Sequence, residues 1–110
     1  MALRSKPTDG AQIRRVYEIL AELSTPEQIA AFLEDVCTYR EIEQMAQRTE
    51  CAEYLLRGET YQEIIAKTEI SSTTLSRISR CIRHGSGGYS ELLAEFLKKE
   101  EEKNRKESES

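Results

Sequence analysis

Residues 60–83 read Thr60-Tyr61-Gln62-Glu63-Ile64-Ile65-Ala66-Lys67-Thr68-Glu69-Ile70-Ser71-Ser72-Thr73-Thr74-Leu75-Ser76-Arg77-Ile78-Ser79-Arg80-Cys81-Ile82-Arg83. Thr60 followed by Glu63 is a capping box, in which a hydroxyl and a carboxylate satisfy the amides at the start of a helix. Ile64, Ile65 and Ala66 give that helix an apolar side, and it ends near Thr68. After a tight connection, Ser71 or Ser72 can cap a second helix with Leu75, Ile78 and Ile82 on its buried side. Two short helices joined by such a turn are a helix-turn-helix arrangement, whose second helix is built to enter the major groove of a duplex.

Working outward, the same signals divide the rest of the chain into helices, for an all-α fold of six. Ile13, Val16, Tyr17, Leu20 and Leu23 recur at helical spacing from about Thr8 or Asp9. Thr25-Pro26-Glu27-Gln28 offers a cap, a proline at the first helical position and Gln28 placed to close a box, ahead of Ile29, Phe32, Leu33 and Val36. Thr38-Tyr39-Arg40-Glu41 opens a long third helix running to Arg57, where Gly58 supplies a left-handed stop. Gly85-Ser86-Gly87-Gly88 ends the fifth helix, and Ser90 to about Lys99 forms a sixth on Leu92, Leu93, Phe96 and Leu97. The expected organisation is a single helical domain over residues 1–99 and a polar, frayed tail over residues 100–110.

Composition agrees. With 110 residues, 38% apolar and 33% charged, no Trp, two Pro and five Gly, the chain suits a small helical protein whose core is completed by a partner. No apolar run reaches the length of a membrane span, and the opening Met1-Ala2-Leu3-Arg4-Ser5-Lys6-Pro7 lacks the apolar region of a secretory signal. A cytoplasmic protein is expected, associated with the nucleoid when bound to DNA. Cys37, Cys51 and Cys81 form an odd, widely spaced set that reads as small buried apolar residues and not as a disulfide framework.

The net charge of −4 argues at first against a nucleic-acid partner, but its distribution reverses the argument. No Asp or Glu occurs from Ile70 to Ser90, a stretch holding Arg77, Arg80, Arg83 and His84, whereas seven acidic and five basic residues follow from Glu91 on. Ser71, Ser72, Thr73 and Thr74 put short hydroxyls and free amides at the start of the second helix of the motif, where phosphates and base edges can be met. The candidate DNA contacts are Ser71, Ser72, Thr73, Thr74, Ser76 and Arg77 near bases, with Gln62, Arg80 and Arg83 near phosphates. An ordinary amphipathic helix with solvated arginines is the competing account of the same pattern.

Other chemistries find little support. Cys81 and His84 have a Cys-x-x-His spacing, but structural zinc needs four ligands and no second short pair is present, so no metal site is expected. One His and scattered Glu residues assemble no nucleophile with its base, and no glycine-rich phosphate loop follows a strand, so an enzyme is not expected. Tyr39, Tyr54, Tyr61 and Met45 read as core or rim and not as a stacking platform.

The stretch Leu55-Leu56-Arg57-Gly58-Glu59, then Gln62, Thr74-Leu75-Ser76-Arg77 and Glu91-Leu92, resembles the bacterial tryptophan repressor family. The resemblance covers about Thr38 to Leu97, and the first two helices match in arrangement more than in residues. It implies an intertwined homodimer in which helices one, two, three and six of both chains build one core and helices four and five are the reading heads. It also implies a ligand pocket: Arg48 and Arg77 match the two arginines that sandwich the indole in tryptophan-responsive members, and Thr38 and Thr74 match its threonines.

This sequence departs from the family pattern at that pocket. Ile78 stands where the pattern has glycine and Cys81 where it has serine, and the turn is one residue shorter. A branched side chain takes space a ring or carboxylate needs, so tryptophan is not the expected corepressor, no cofactor is expected and any effector is unknown. Glu63 falls at the position of an arginine used for base contact, so the operator is expected to differ from the tryptophan operator. The implied function is a DNA-binding transcriptional regulator, a repressor acting as a homodimer on a near-palindromic site in double-stranded DNA. The alternative is a helical protein-interaction module with the same fold and little DNA binding.

Overall fold

Four of the helices begin where a side-chain cap puts them, at Thr25, Thr38, Thr60 and Ser71. The computed structural model describes the backbone of residues 7–109 and the side chains of residues 10–109; residues 1–6, scanned above for a signal segment, lie outside the described residues. Six α-helices occur among them: α1 (Pro7–Glu22), α2 (Pro26–Val36), α3 (Tyr39–Leu56), α4 (Tyr61–Thr68), α5 (Ser72–His84) and α6 (Ala94–Glu109), with a π-helical turn, Gly88–Leu93, leading into α6. No described residue is in a strand.

The Thr38–Glu41 and Thr60–Glu63 boxes both close. Each threonine amide donates to the glutamate carboxylate at 2.8 Å, and each glutamate amide donates back to the hydroxyl, at 3.1 and 3.2 Å. At α2 the device is different from the expected box. The Thr25 hydroxyl accepts the Gln28 amide at 3.1 Å, but the Gln28 side chain accepts from the amide of Ser24, one residue earlier. At the end of α3, Gly58 has φ +89°, Glu59 donates to the Tyr54 carbonyl and Gly58 to that of Leu55. This is a Schellman stop, which needs a left-handed residue at Gly58.

The chain forms two compact units, residues 1–42 and residues 43–110, with the division falling inside α3. In the first unit no described residue is buried, and Ile13, Val16, Tyr17, Ile29 and Val36 are exposed. In the second unit, Cys51 and Ala52 of α3 pack with Ile64 of α4, Ile70 of the turn, and Leu75 and Ile78 of α5, with Tyr54, Leu55, Ile82, Tyr89 and Leu93 around them. The buried core therefore lies under the helix-turn-helix.

Helix α6 continues to Glu109, and every described residue after Leu97 is exposed. Lys, Arg and Glu have high helix propensity, and extending an existing helix requires no new nucleus. The sixth helical segment begins earlier than Ser90, at Gly88, in π-helical form, with the Leu92 amide donating to the Gly87 carbonyl at 3.1 Å. Of the three free cysteines only Cys51 is buried; Cys37 is half-buried and Cys81 is exposed, because it lies on the flank of α5 turned from the core.

Candidate nucleic-acid interface

Thr68 ties the turn of the motif to α4 and to α3. Its hydroxyl donates to the Ile64 carbonyl at 2.7 Å and accepts the Ile70 amide at 3.4 Å, and its own carbonyl accepts the Gln47 side-chain amide of α3 at 3.5 Å. Ile70 is 4% exposed and anchors the turn in the core. Between them Glu69 takes φ +61°, a left-handed conformation that allows the chain to reverse within three residues. Sequence reasoning treated Thr68 only as a helix end; a β-branched hydroxyl before a turn was the available signal.

Helix α5 then starts with Ser71 as its cap, the hydroxyl accepting the Thr74 amide at 3.1 Å. Leu75 is fully buried and Ile78 nearly so, which turns Ser72, Thr73, Ser76, Arg77 and Arg80 outward. Among the described residues neither Arg77 nor Arg80 pairs with a carboxylate. Arg83 is differently placed: its guanidinium donates to Ser79 Oγ at 2.7 Å. Gln62 is exposed on α4. Glu63 and Lys67 of α4 are engaged. Glu63 is held in its capping box, whose hydrogen bonds from Thr60 keep the carboxyl below its ordinary range. Lys67 bonds Glu59 and lies 4.0 Å from the centre of the Tyr54 ring, a cation–π contact, and the Glu59 carboxylate holds its ammonium above its usual value.

Arg48, Thr74 and Arg77 are brought together. With Ile78, Cys81 and Tyr89 they line a cavity of about 290 Å³. Among the described residues neither arginine pairs with a carboxylate: Glu53 pairs with Arg57 at 3.7 Å, and Glu50 accepts from the Tyr54 hydroxyl at 3.4 Å. Thr38, in the other unit, is engaged in the cap of α3. Ile78 is both a core residue and part of the cavity wall. Tyr89, which sequence reasoning passed over, is half-buried there. Burial pushes its phenol up, the neighbouring Cys81 adds to that, and the charge of Arg48 draws it back. A single aromatic directly after a glycine run was its only trace in the sequence.

Residue Gly85 closes α5 where nothing larger fits, since a Cβ there would collide with the backbone carbonyl of Cys81. No helix among the described residues is long and apolar enough to cross a membrane.

Residues 11–97 match the family described as Trp repressor protein. The uncharacterized protein YerC of Bacillus subtilis is 33% identical over 97 residues, covering 88% of this chain and 93% of that one. Among solved structures, a Trp repressor candidate from Staphylococcus aureus superposes with a TM-score of 0.74 at 26% identity, covering 84% of this chain and 96% of that chain. A TrpR-like protein from Eubacterium eligens does so with a TM-score of 0.73 at 31% identity, covering 78% and 89%. A helix-turn-helix seated on its own core, within a chain whose described elements are all helices and that matches on these terms, places the protein in the Trp repressor family of DNA-binding regulators.

Proposed function

We propose that the protein is a sequence-specific transcriptional regulator, a repressor that binds a near-palindromic operator as a homodimer in the bacterial cytoplasm. The observation that carries this reading is the outer surface of α5, where exposed Ser72, Thr73 and Ser76 precede the uncompensated charges of Arg77 and Arg80. Hydroxyls and amides at a helix start suit base edges and phosphates, and arginines suit phosphates and guanine. Ser71 supports the surface from its cap, Thr74 from its half-buried position beside it, and Gln62 and Arg83 are assigned to the phosphate backbone.

The dimer is supported by apolar surface that a lone chain leaves in water. Ile13, Tyr17 and Val36 are 51%, 62% and 60% exposed, and Leu92 and Phe96 are 73% and 59% exposed. A second copy would cover these faces and set two reading heads about one helical turn apart, near 34 Å, along the duplex. Tryptophan is not proposed as the effector: Ile78 and Cys81 narrow the cavity beside Arg48, Thr74 and Arg77, and the protein acts without a cofactor.

The test is selection of bound duplexes from a random pool at moderate salt, with and without L-tryptophan, followed by affinity against salt. A two-fold symmetric motif enriched in both samples, with log K falling linearly in log salt, is the expected result. Enrichment only with tryptophan would overturn the effector reading. No enrichment in either sample would put a protein-interaction module in its place.

A further inference from the structure

Two hollows in the unit of residues 43–110 share a wall. The first, about 290 Å³, contains Arg48 and Arg77 in its lining; the second, about 430 Å³, is bordered by Thr49, Gly85 and Leu93. Cys81 and Tyr89 line both, and Tyr89 is the one aromatic residue of either lining. The tyrosine is carried by the π-helical turn that begins after Gly87, and α5 packs against α4 and against that turn. Its ring also packs on the core that includes Leu75 and Ile78 of α5. A π-turn rotates the residues after it relative to an α-helix, and such turns are frequent at functional sites.

We infer that Tyr89 is the positioning residue of α5: its ring, standing between the two hollows, fixes the direction of that helix against α3 from within the chain. The consequence for DNA affinity rests on the reading proposed above; the consequence for α5 itself does not. Arg48 of α3, Arg77 of α5 and Tyr89 line the same hollow, which places the tyrosine between α3 and α5. Removing the ring would join the hollows into one space shaped to accept a phenol. Helix α5 would then rest on α4 and the aliphatic core alone, and would sample several directions.

The experiment uses the full-length protein and p-cresol, the free form of the tyrosine side chain, as probe. In Tyr89→Ala the amides of Arg77 to Arg83 should exchange with solvent about tenfold faster while those of α3 keep their protection. Millimolar p-cresol should reverse the change in this variant and have no effect on the wild type. Affinity for a selected duplex should fall about tenfold in parallel, because only molecules with α5 in the reading direction bind, and should return with p-cresol. Tyr89→Phe should stay within about twofold of the wild type in exchange rate.

Equal acceleration of α3 and α5 amides would show a residue that only adds stability and would overturn the inference, as would unchanged α5 exchange or a failure of p-cresol to restore it. If Tyr89→Ala does not fold, Tyr89→Leu keeps apolar volume without the ring. Faster α5 exchange in that variant supports the inference and wild-type exchange overturns it. If wild-type protein binds no duplex while the exchange pattern is as expected, the DNA reading falls and the positioning role stands.

Discussion

Ser71 and Thr74 are joined twice: the Ser71 hydroxyl accepts the Thr74 amide proton at 3.1 Å and lies 2.9 Å from the Thr74 hydroxyl, to which it donates. The hydroxyl-rich start of α5 is thus divided between support and surface, with Ser71 and Thr74 bonded to each other and Ser72 and Thr73 facing solvent. Ser71→Ala should therefore cost about 1 kcal/mol of stability. In thermal melts this appears as a fall of several degrees in Tm, while Ser72→Ala should leave the melt within about 0.5 kcal/mol of the wild type.

Arg80 and Ser72 should separate affinity from sequence choice. With Arg80 exposed and lacking a carboxylate partner, Arg80→Ala should weaken binding to every duplex and flatten the slope of log K against log salt by about one. Substitution of Ser72 should mainly change which sequences are enriched. Titrations at several salt concentrations, on selected and scrambled duplexes, check both; equal losses on all sequences for the two variants would contradict the assignment.

Glu69 holds φ +61° in the turn, where a side chain costs roughly 1 kcal/mol relative to a right-handed residue. Glu69→Gly should remove that cost at the expense of a looser unfolded chain, for a net gain of about 0.5 kcal/mol. Glu69→Val, with a branched Cβ, should lose more than about 1 kcal/mol. Urea midpoints of the three proteins give the ordering directly.

Stability should decline in alkali through Cys51. Burial raises this thiol above its ordinary value of 9.0. A folded pKa above the unfolded one means that the contribution is complete below pH 9.0 and is lost as pH rises through the folded value. Tyr89, raised from 10.0 by burial, acts in the same direction at higher pH. Denaturant midpoints measured from neutral pH to pH 10 should fall for the wild type and fall less for Cys51→Ala.

The helix borders were legible in the chain because their signals are local. The Thr38–Glu41 and Thr60–Glu63 boxes, the stop at Gly58 and the cap at Ser71 each depend on bonds among residues at most five apart, so spacing alone specifies them. The buried side of α5 was equally plain, since Leu75, Ile78 and Ile82 recur at helical spacing on one side and the arginines fall on another. The acid-free run from Ile70 to Ser90 marked the candidate surface for the same reason: charge along a helix can be counted without knowing what packs beneath it.

Folding in space settled the rest. That Arg48 and Arg77 face one cavity, that Thr68 bonds to both α3 and the turn, and that Cys81 is exposed while Cys51 is buried depend on how α3 lies against α4 and α5. Residues far apart in the chain carry no mark of their future neighbours, because close packing is decided by side-chain shape at a contact and not by period. The π-turn at Gly88–Leu93 has the composition of an ordinary helix and differs only in which carbonyl each amide selects, so Tyr89 acquires its place between α3 and α5 only when those helices have packed.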